Sequence, residues 1–234
     1  MWRWPIVIGG ILLLQGCSSD NVAEPNTQEK EIRAELDRNE QLIQAAERKE
    51  TETIKRLVEE GIDINTKDSE GRTAIMIATY NNDVDTAKVL IKAGADVNIQ
   101  DNLKNNPFLY AGAEGYVEIL KLTIESGADP TITNRYGGTA LIPASEHGYV
   151  NVIKELLANT DTDVNHVNDL GWTALLEAII LNDGDEKQQQ AVQLLIDYGA
   201  DVNIPDKNNV TPLKHARENG FKEIEQILLK AGAK

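Results

Sequence analysis

The last 29 residues of the chain, DKNNVTPLKHARENGFKEIEQILLKAGAK (206–234), decide how the rest of it is read. Thr211-Pro212-Leu213 within this stretch has the form of a helix start. The Thr oxygen caps free backbone N–H groups, and Pro is tolerated at the first helical position. Gly232 follows a second helical stretch and supplies the left-handed cap that ends it. Both marks recur through the chain. Gly61, Gly94 and Gly127 lie 33 residues apart, as do Gly199 and Gly232. Thr73-Ala74-Ile75, Asn106-Pro107-Phe108, Thr139-Ala140-Leu141, Thr173-Ala174-Leu175 and Thr211-Pro212-Leu213 follow one another at intervals of 33, 33, 34 and 38. Two markers sharing one period define a repeat architecture.

Each unit reads as helix, turn, helix and a projecting loop. The first helix begins at the Thr or Asn. The second shows apolar residues at helical spacing, as in Val150, Ile153, Leu156 and Leu157 or Val192, Leu195 and Ile196. Asp-Val-Asn then leads into an extended turn. One such unit cannot bury its own apolar face, so several must stack into a continuous core.

This pattern resembles the ankyrin repeat, with its period of about 33 residues and its T-P-L-H-x-A signature. The resemblance covers residues 37–234 and implies an all-α solenoid of about six helix-turn-helix repeats with projecting hairpin-like loops. The units fall at 37–69, 70–102, 103–135, 136–169, 170–207 and 208–234. The first lacks the capping Thr but keeps Leu42, Ala45, Ala46, Leu57 and Gly61, and so reads as a polar N-terminal cap. Several departures carry expectations. The signature His is replaced by Met76, Leu109, Ile142, Leu176 and Lys214, so its hydrogen bonds are replaced or missing. Pro143 costs a backbone hydrogen bond near the start of its helix. The turn at 158–163 has lost its Gly and calls for Asn or Asp in the left-handed conformation. Repeat 5 carries an insertion near residues 183–187.

The N-terminus reads differently. In MWRWPIVIGGILLLQGC, Arg3 precedes an apolar run at residues 6–14, then a small residue and Cys17. That is the form of a secretory signal peptide over residues 1–16, the alternative being an uncleaved anchor. The run falls short of the roughly 20 apolar residues a spanning helix needs. Leu14-Gln15-Gly16-Cys17 resembles the lipobox of bacterial lipoproteins, which implies lipidation of Cys17 and a polar tether over residues 17–36. The localisation implied is the bacterial cell envelope, lipid-anchored on the extracytoplasmic side. Cys17 is the only cysteine, so an intramolecular disulfide is excluded.

Charge narrows the partners. With 23 Lys+Arg against 38 Asp+Glu the formal charge is −15, which repels phosphate backbones and argues against nucleic acid. Aromatic residues make up 5% of the chain, so the core must rest on Leu, Ile, Val and Ala. His147, His166 and His215 lie in different repeats without metal-ligand spacing, and Asp183-Gly184-Asp185-Glu186 lacks the later ligands of a calcium loop. No nucleophile elbow or phosphate loop is present. These observations give no enzyme, no cofactor and no metal.

Binding is the expected function, with another protein as partner and the membrane reached through the lipid. In ankyrin-like proteins contacts come from loop tips and the exposed face of the first helix. By that resemblance the candidate contacts are Arg72, Leu103, Arg135, Tyr136, Leu170 and Trp172 at loop tips, with Tyr80, His147, Ile180 and Leu181 on first helices. Arg, Tyr and Trp are enriched at interface hot spots. Tyr136 and Trp172 serve either as contacts or as packing across neighbouring repeats. A second reading is an accessory or immunity-type protein that protects against a toxin, a secreted enzyme or oxidative stress.

Overall fold

The computed structural model describes residues 27–234. The segment expected to be a signal peptide, Cys17 and the first part of the expected tether lie outside the described residues. Among the described residues twelve helices follow one another: α1 (Thr27–Glu47), α2 (Thr51–Glu59), α3 (Ala74–Tyr80), α4 (Val84–Lys92), α5 (Pro107–Glu114), α6 (Val117–Glu125), α7 (Leu141–Glu146), α8 (Val150–Asn159), α9 (Ala174–Ile180), α10 (Glu186–Asp197), α11 (Pro212–Glu218) and α12 (Lys222–Lys230). They pair antiparallel in sequence order, odd-numbered helices stacking on odd and even on even, so each pair completes its core against its neighbours. Helix α1 already begins at Thr27, so residues 27–36 are helical where a polar tether was expected.

The core is aliphatic. Ile75, Leu90, Ile119, Leu120, Ile153, Leu156, Leu195 and Leu228 run through it with almost no exposure, and Phe108 is the one fully buried ring among the described residues. In the first unit Leu42, Ala45, Ala46 and Leu57 are buried. Met76, Leu109, Ile142 and Leu176, at the signature His position, are buried too, so four of the five sites became core and only Lys214 is exposed. The polar ordering that His would provide falls to other residues, described below.

Four first helices start as expected. Thr73, Asn106, Thr173 and Thr211 accept hydrogen bonds from Met76, Leu109, Leu176 and Lys214 N–H. The fifth start differs because of Pro143. In its sister repeats the residue at that position donates to the carbonyl of the capping residue, as Ile77 does to Thr73 and Glu177 to Thr173. Pro143 has no N–H, and Ile142 N–H turns to the Thr139 carbonyl instead, at 3.2 Å. Thr139 Oγ1 thereby loses its donor and is buried without a partner, and α7 opens only at Leu141. Pro143→Ala is expected to restore both bonds and raise the unfolding free energy by about 1 kcal/mol in urea denaturation.

Gly61, Gly94, Gly127, Gly199 and Gly232 end second helices with φ between 78° and 94°. A Cβ at these positions would meet nothing within 4 Å, so the requirement is conformational and not steric. The turn at 158–163 solves the same problem without a left-handed residue, contrary to expectation. Helix α8 runs on to Asn159 and stops at Thr160, which is extended with φ −137°. Thr160 Oγ1 donates back to Leu156 O at 2.7 Å, satisfying a terminal carbonyl that a glycine cap would otherwise serve. The insertion in repeat 5 divides between a loop and the helix that follows: Asp185 caps Gln188 N–H, and α10 reaches 12 residues against 9 in α4 and α6.

A ladder ties successive turns together. Asn65 Oδ1 accepts from Asp96 N–H, Asn98 from Asp129, Asn165 from Asp201 and Asn203 from Lys234, at 2.8–3.0 Å. Thr131 occupies the corresponding place between repeats 3 and 4, and its hydroxyl donates within its own turn, to Asp129.

Candidate functional site

The loops between units are built on one acidic or amide side chain each. Asp68, Asp101, Asn134, Asn168 and Asp206 stand five residues ahead of each first-helix cap. In every case Oδ1 accepts two loop N–H groups, from the residues two and four positions on, at 2.8–3.0 Å. A backbone bond from the same residue's N–H to the carbonyl four positions on closes the hairpin. The short side chain therefore pins the whole loop, as Asp and Asn do in turns generally.

In four of the five pins the other terminal atom points to a second group, a different one each time. Asp68 Oδ2 meets Arg72 Nε at 2.7 Å. Asp101 Oδ2 accepts from the Tyr80 hydroxyl at 2.6 Å. Asn168 Nδ2 donates to Glu177 Oε1 at 2.8 Å. Asp206 Oδ2 lies 3.0 Å from His215 Nε2. Burial, together with the bond to Asp101, pushes the Tyr80 hydroxyl up to about 12. Asp206 is held below the usual carboxylate range by Val210 N–H and its other donors, His215 among them.

These contacts redistribute the candidate residues. Arg72 is consumed within the fold, its guanidinium facing Asp68, Glu47 and Glu70 at 2.7, 3.0 and 3.5 Å. Tyr80 is likewise engaged, and its ring meets Tyr110 edge-on at 4.4 Å. Both line a cleft of about 430 Å³ with Ser69, Glu70, Asp101, Asn102 and Leu103. Trp172 is half-buried and stands two positions past the tip, equivalent to Arg72 and Asn105. It is therefore not the counterpart of Tyr136. That counterpart is Leu170, and with Leu103 the three make one series: 51% exposed at Leu103, 53% at Tyr136 and 51% at Leu170. Arg135 lies over the Tyr136 ring, 4.8 Å from its centroid. His147 is exposed at the end of α7, tilted against Tyr149 at 5.3 Å. Ile180 is half-buried at the end of α9, and Leu181 beyond it is exposed.

The residue that sequence inspection missed is Glu177. It projects from α9 with only 5% exposure. Burial, then the nearby charge of Glu146, pushes its carboxyl up to about 7 against the opposing bond from Asn168. An unfolded Glu releases its proton near 4.5. Between about pH 4.5 and pH 7 the folded state thus keeps a proton that the unfolded chain has lost, and stability falls as pH rises through that window. Glu177→Gln retains the acceptor for Asn168 and removes the charge. It is expected to gain about 1–2 kcal/mol at pH 8, after discounting for solvent screening, with the gain vanishing towards pH 4. Urea titrations at the two pH values check this.

Among the described residues no group of His, Cys, Asp and Glu is arranged to hold a metal ion, and no helix is long and apolar enough to cross a membrane. What the loop side presents is a row of exposed apolar tips over a floor of first helices.

Comparison with known proteins agrees with this architecture. The family model described as ankyrin repeats (3 copies) matches residues 11–101, 108–206 and 162–234. The ankyrin repeat protein YahD of Escherichia coli (strain K12) is 59% identical over 80 residues, which are 34% of this chain and 40% of that protein. An ankyrin repeat protein of Rickettsia felis is 34% identical over 79 residues, 34% of this chain and 20% of its own length. The matched segments thus span less than half of either curated relative. The crystal structure of an ankyrin repeat domain from Acinetobacter baumannii AYE superposes with a TM-score of 0.81 at 52% identity, over 82% of this chain and 98% of that one. The ankyrin repeat protein EF0377 superposes at 0.79 with 39% identity, over the same shares of the two chains. With family matches over most of its length and an all-helical stack of the same form, the chain belongs to the ankyrin-repeat family.

Proposed function

We propose that the protein is a non-catalytic protein-binding module, displayed outside the cytoplasmic membrane of a bacterial envelope by lipid on Cys17. Ankyrin repeats serve generally in binding other proteins. The observation that carries the site is the tip series Leu103, Tyr136 and Leu170, three large apolar side chains about half exposed at equivalent places. Neighbouring tips of this kind form the apolar centre of an interface more readily than scattered surface residues do. Leu14-Gln15-Gly16-Cys17 after an apolar run supports the anchor. Acyl chains contribute about 0.8 kcal/mol per buried methylene, so a multiply acylated Cys17 holds the domain at a membrane almost permanently.

Two measurements on cells test this reading. Intact mass of protein from the membrane fraction is expected to show loss of residues 1–16 and an acylated Cys17, and Cys17→Ser is expected to release the domain or leave the precursor unprocessed. Unmodified Cys17 in soluble wild-type protein sinks the anchor. Cross-linked partner is expected to be lost in Tyr136→Ala/Leu170→Ala at unchanged helicity, because truncation of a hot-spot side chain costs about 2 kcal/mol or more. Undiminished capture by that variant places the contact elsewhere.

A further inference from the structure

The floor beneath the tips is unevenly charged. Helices α5, α7 and α9 contain no Lys or Arg, and each carries a single acid: Glu114, Glu146 and Glu177. Among the described residues none of these three enters an ion pair. Acids towards the two ends of the array are matched internally, Asp68 by Arg72, Asp206 by His215 and Glu218 by Lys214. Two cations beside the middle repeats are turned elsewhere: Arg135 lies over Tyr136, and Lys207 Nζ donates to the Asp169 carbonyl.

Glu177 gives this asymmetry a direction. It is nine-tenths buried, faces the charge of Glu146, and has the neutral amide of Asn168 as its hydrogen-bond donor. A carboxylate removed from water beside another carboxylate is relieved by a cation, and α5, α7 and α9 bring none. Asn168 also pins the loop that carries Leu170, so the buried acid and the exposed apolar tip are built on one residue. Successive side chains of an extended segment point to opposite sides. A chain lying between tips and floor would offer one set of side chains to the apolar tips and the alternate set to the acids.

We propose that repeats 4 and 5 bind an extended segment of a partner protein in which Lys or Arg alternates with apolar residues, the cations meeting Glu146 and Glu177 while the apolar side chains cover Tyr136 and Leu170. This inference rests on the protein-binding reading of the same face. Complementary charge here sets specificity and speeds association.

The test is titration of the detergent-solubilised full chain with a short synthetic peptide of alternating Arg and Leu at physiological salt, followed by calorimetry. Glu146→Gln/Glu177→Gln is expected to weaken binding about tenfold or more. Glu118→Gln/Glu223→Gln, an equal change in net charge on the second helices, is expected to weaken it less than about twofold. Circular dichroism verifies that both variants keep wild-type helicity. Equal weakening by the two pairs, which is the signature of net charge alone, overturns the proposal, and so does failure of the peptide to bind. If Tyr136→Ala/Leu170→Ala loses the cellular partner while Glu146→Gln/Glu177→Gln keeps it at full affinity, the binding face stands and the cationic segment falls. If neither variant affects the cellular partner, both readings fall.

Discussion

Phe108→Ala is expected to lower the unfolding free energy by about 3–5 kcal/mol, the range for truncating a fully buried ring when its surroundings collapse only in part. Phe108 has no exposed surface and sits on α5, in the third of six units. Because each unit is stabilised chiefly by its neighbours, a cavity there weakens both of its interfaces. The ladder of turn bonds is interrupted just beyond, at Thr131. Repeats 4–6 should therefore retain amide protection while repeats 1–3 lose it, and hydrogen exchange resolved by segment measures this. Leu228→Ala on α12, equally buried, should confine the loss to the last unit. Uniform loss of protection in both variants would show that the array unfolds as one body.

The second large effect concerns the pin that serves the loop and the buried acid together. Asn168→Ala is expected to cost about 2–3 kcal/mol, since Leu170 and Trp172 N–H lose their acceptor and buried Glu177 loses its donor. Asn168→Asp separates the two roles. It keeps the Oδ1 acceptor but sets a second carboxylate against Glu177. At pH 5, where Glu177 holds its proton, this variant should approach wild-type stability, and at pH 8 it should fall towards the alanine variant. A pH-independent deficit in Asn168→Asp would mean that the amide's geometry matters and the charge of Glu177 does not.

Much of the fold was legible because its marks have a mechanical origin. Thr or Asn before Ala or Pro opens a helix, Gly closes one, and both recur in phase, so the period of the stacked units from Thr73 onward follows from spacing. The exceptions were harder. Pro143 announces a lost bond, but the rearrangement that orphans Thr139 depends on which donor moves into the vacant place. Thr160 closes α8 through its side chain in an extended conformation, which a search for left-handed residues does not anticipate. At the site, side-chain type pointed to Arg72 and Tyr80 as contacts, yet each already has an acid within the fold. The pins themselves were concealed by abundance. In a chain with 38 Asp+Glu, an Asp or Asn five residues ahead of each helix cap attracts notice only once its intervals of 33, 33, 34 and 38 are laid beside those of the caps. Glu177 was hidden for the same reason, since nothing in the sequence distinguishes a buried acid from its solvated neighbours.

The division of labour within each pin bears on how such a chain diversifies. One oxygen holds each of the five loops, and in four of them the atom beside it meets an arginine, a tyrosine, a glutamate or a histidine. A duplicated unit inherits its own loop lock, so copying the segment does not require the copy to find new support. Mutation can then change what the neighbouring atom meets, moving the local response from one that titrates near neutrality to one that stays fixed across the physiological range. Inheritance of shape and variation of chemistry are separated within a single side chain, and an array lengthened by copying can acquire a different character at each step along its face.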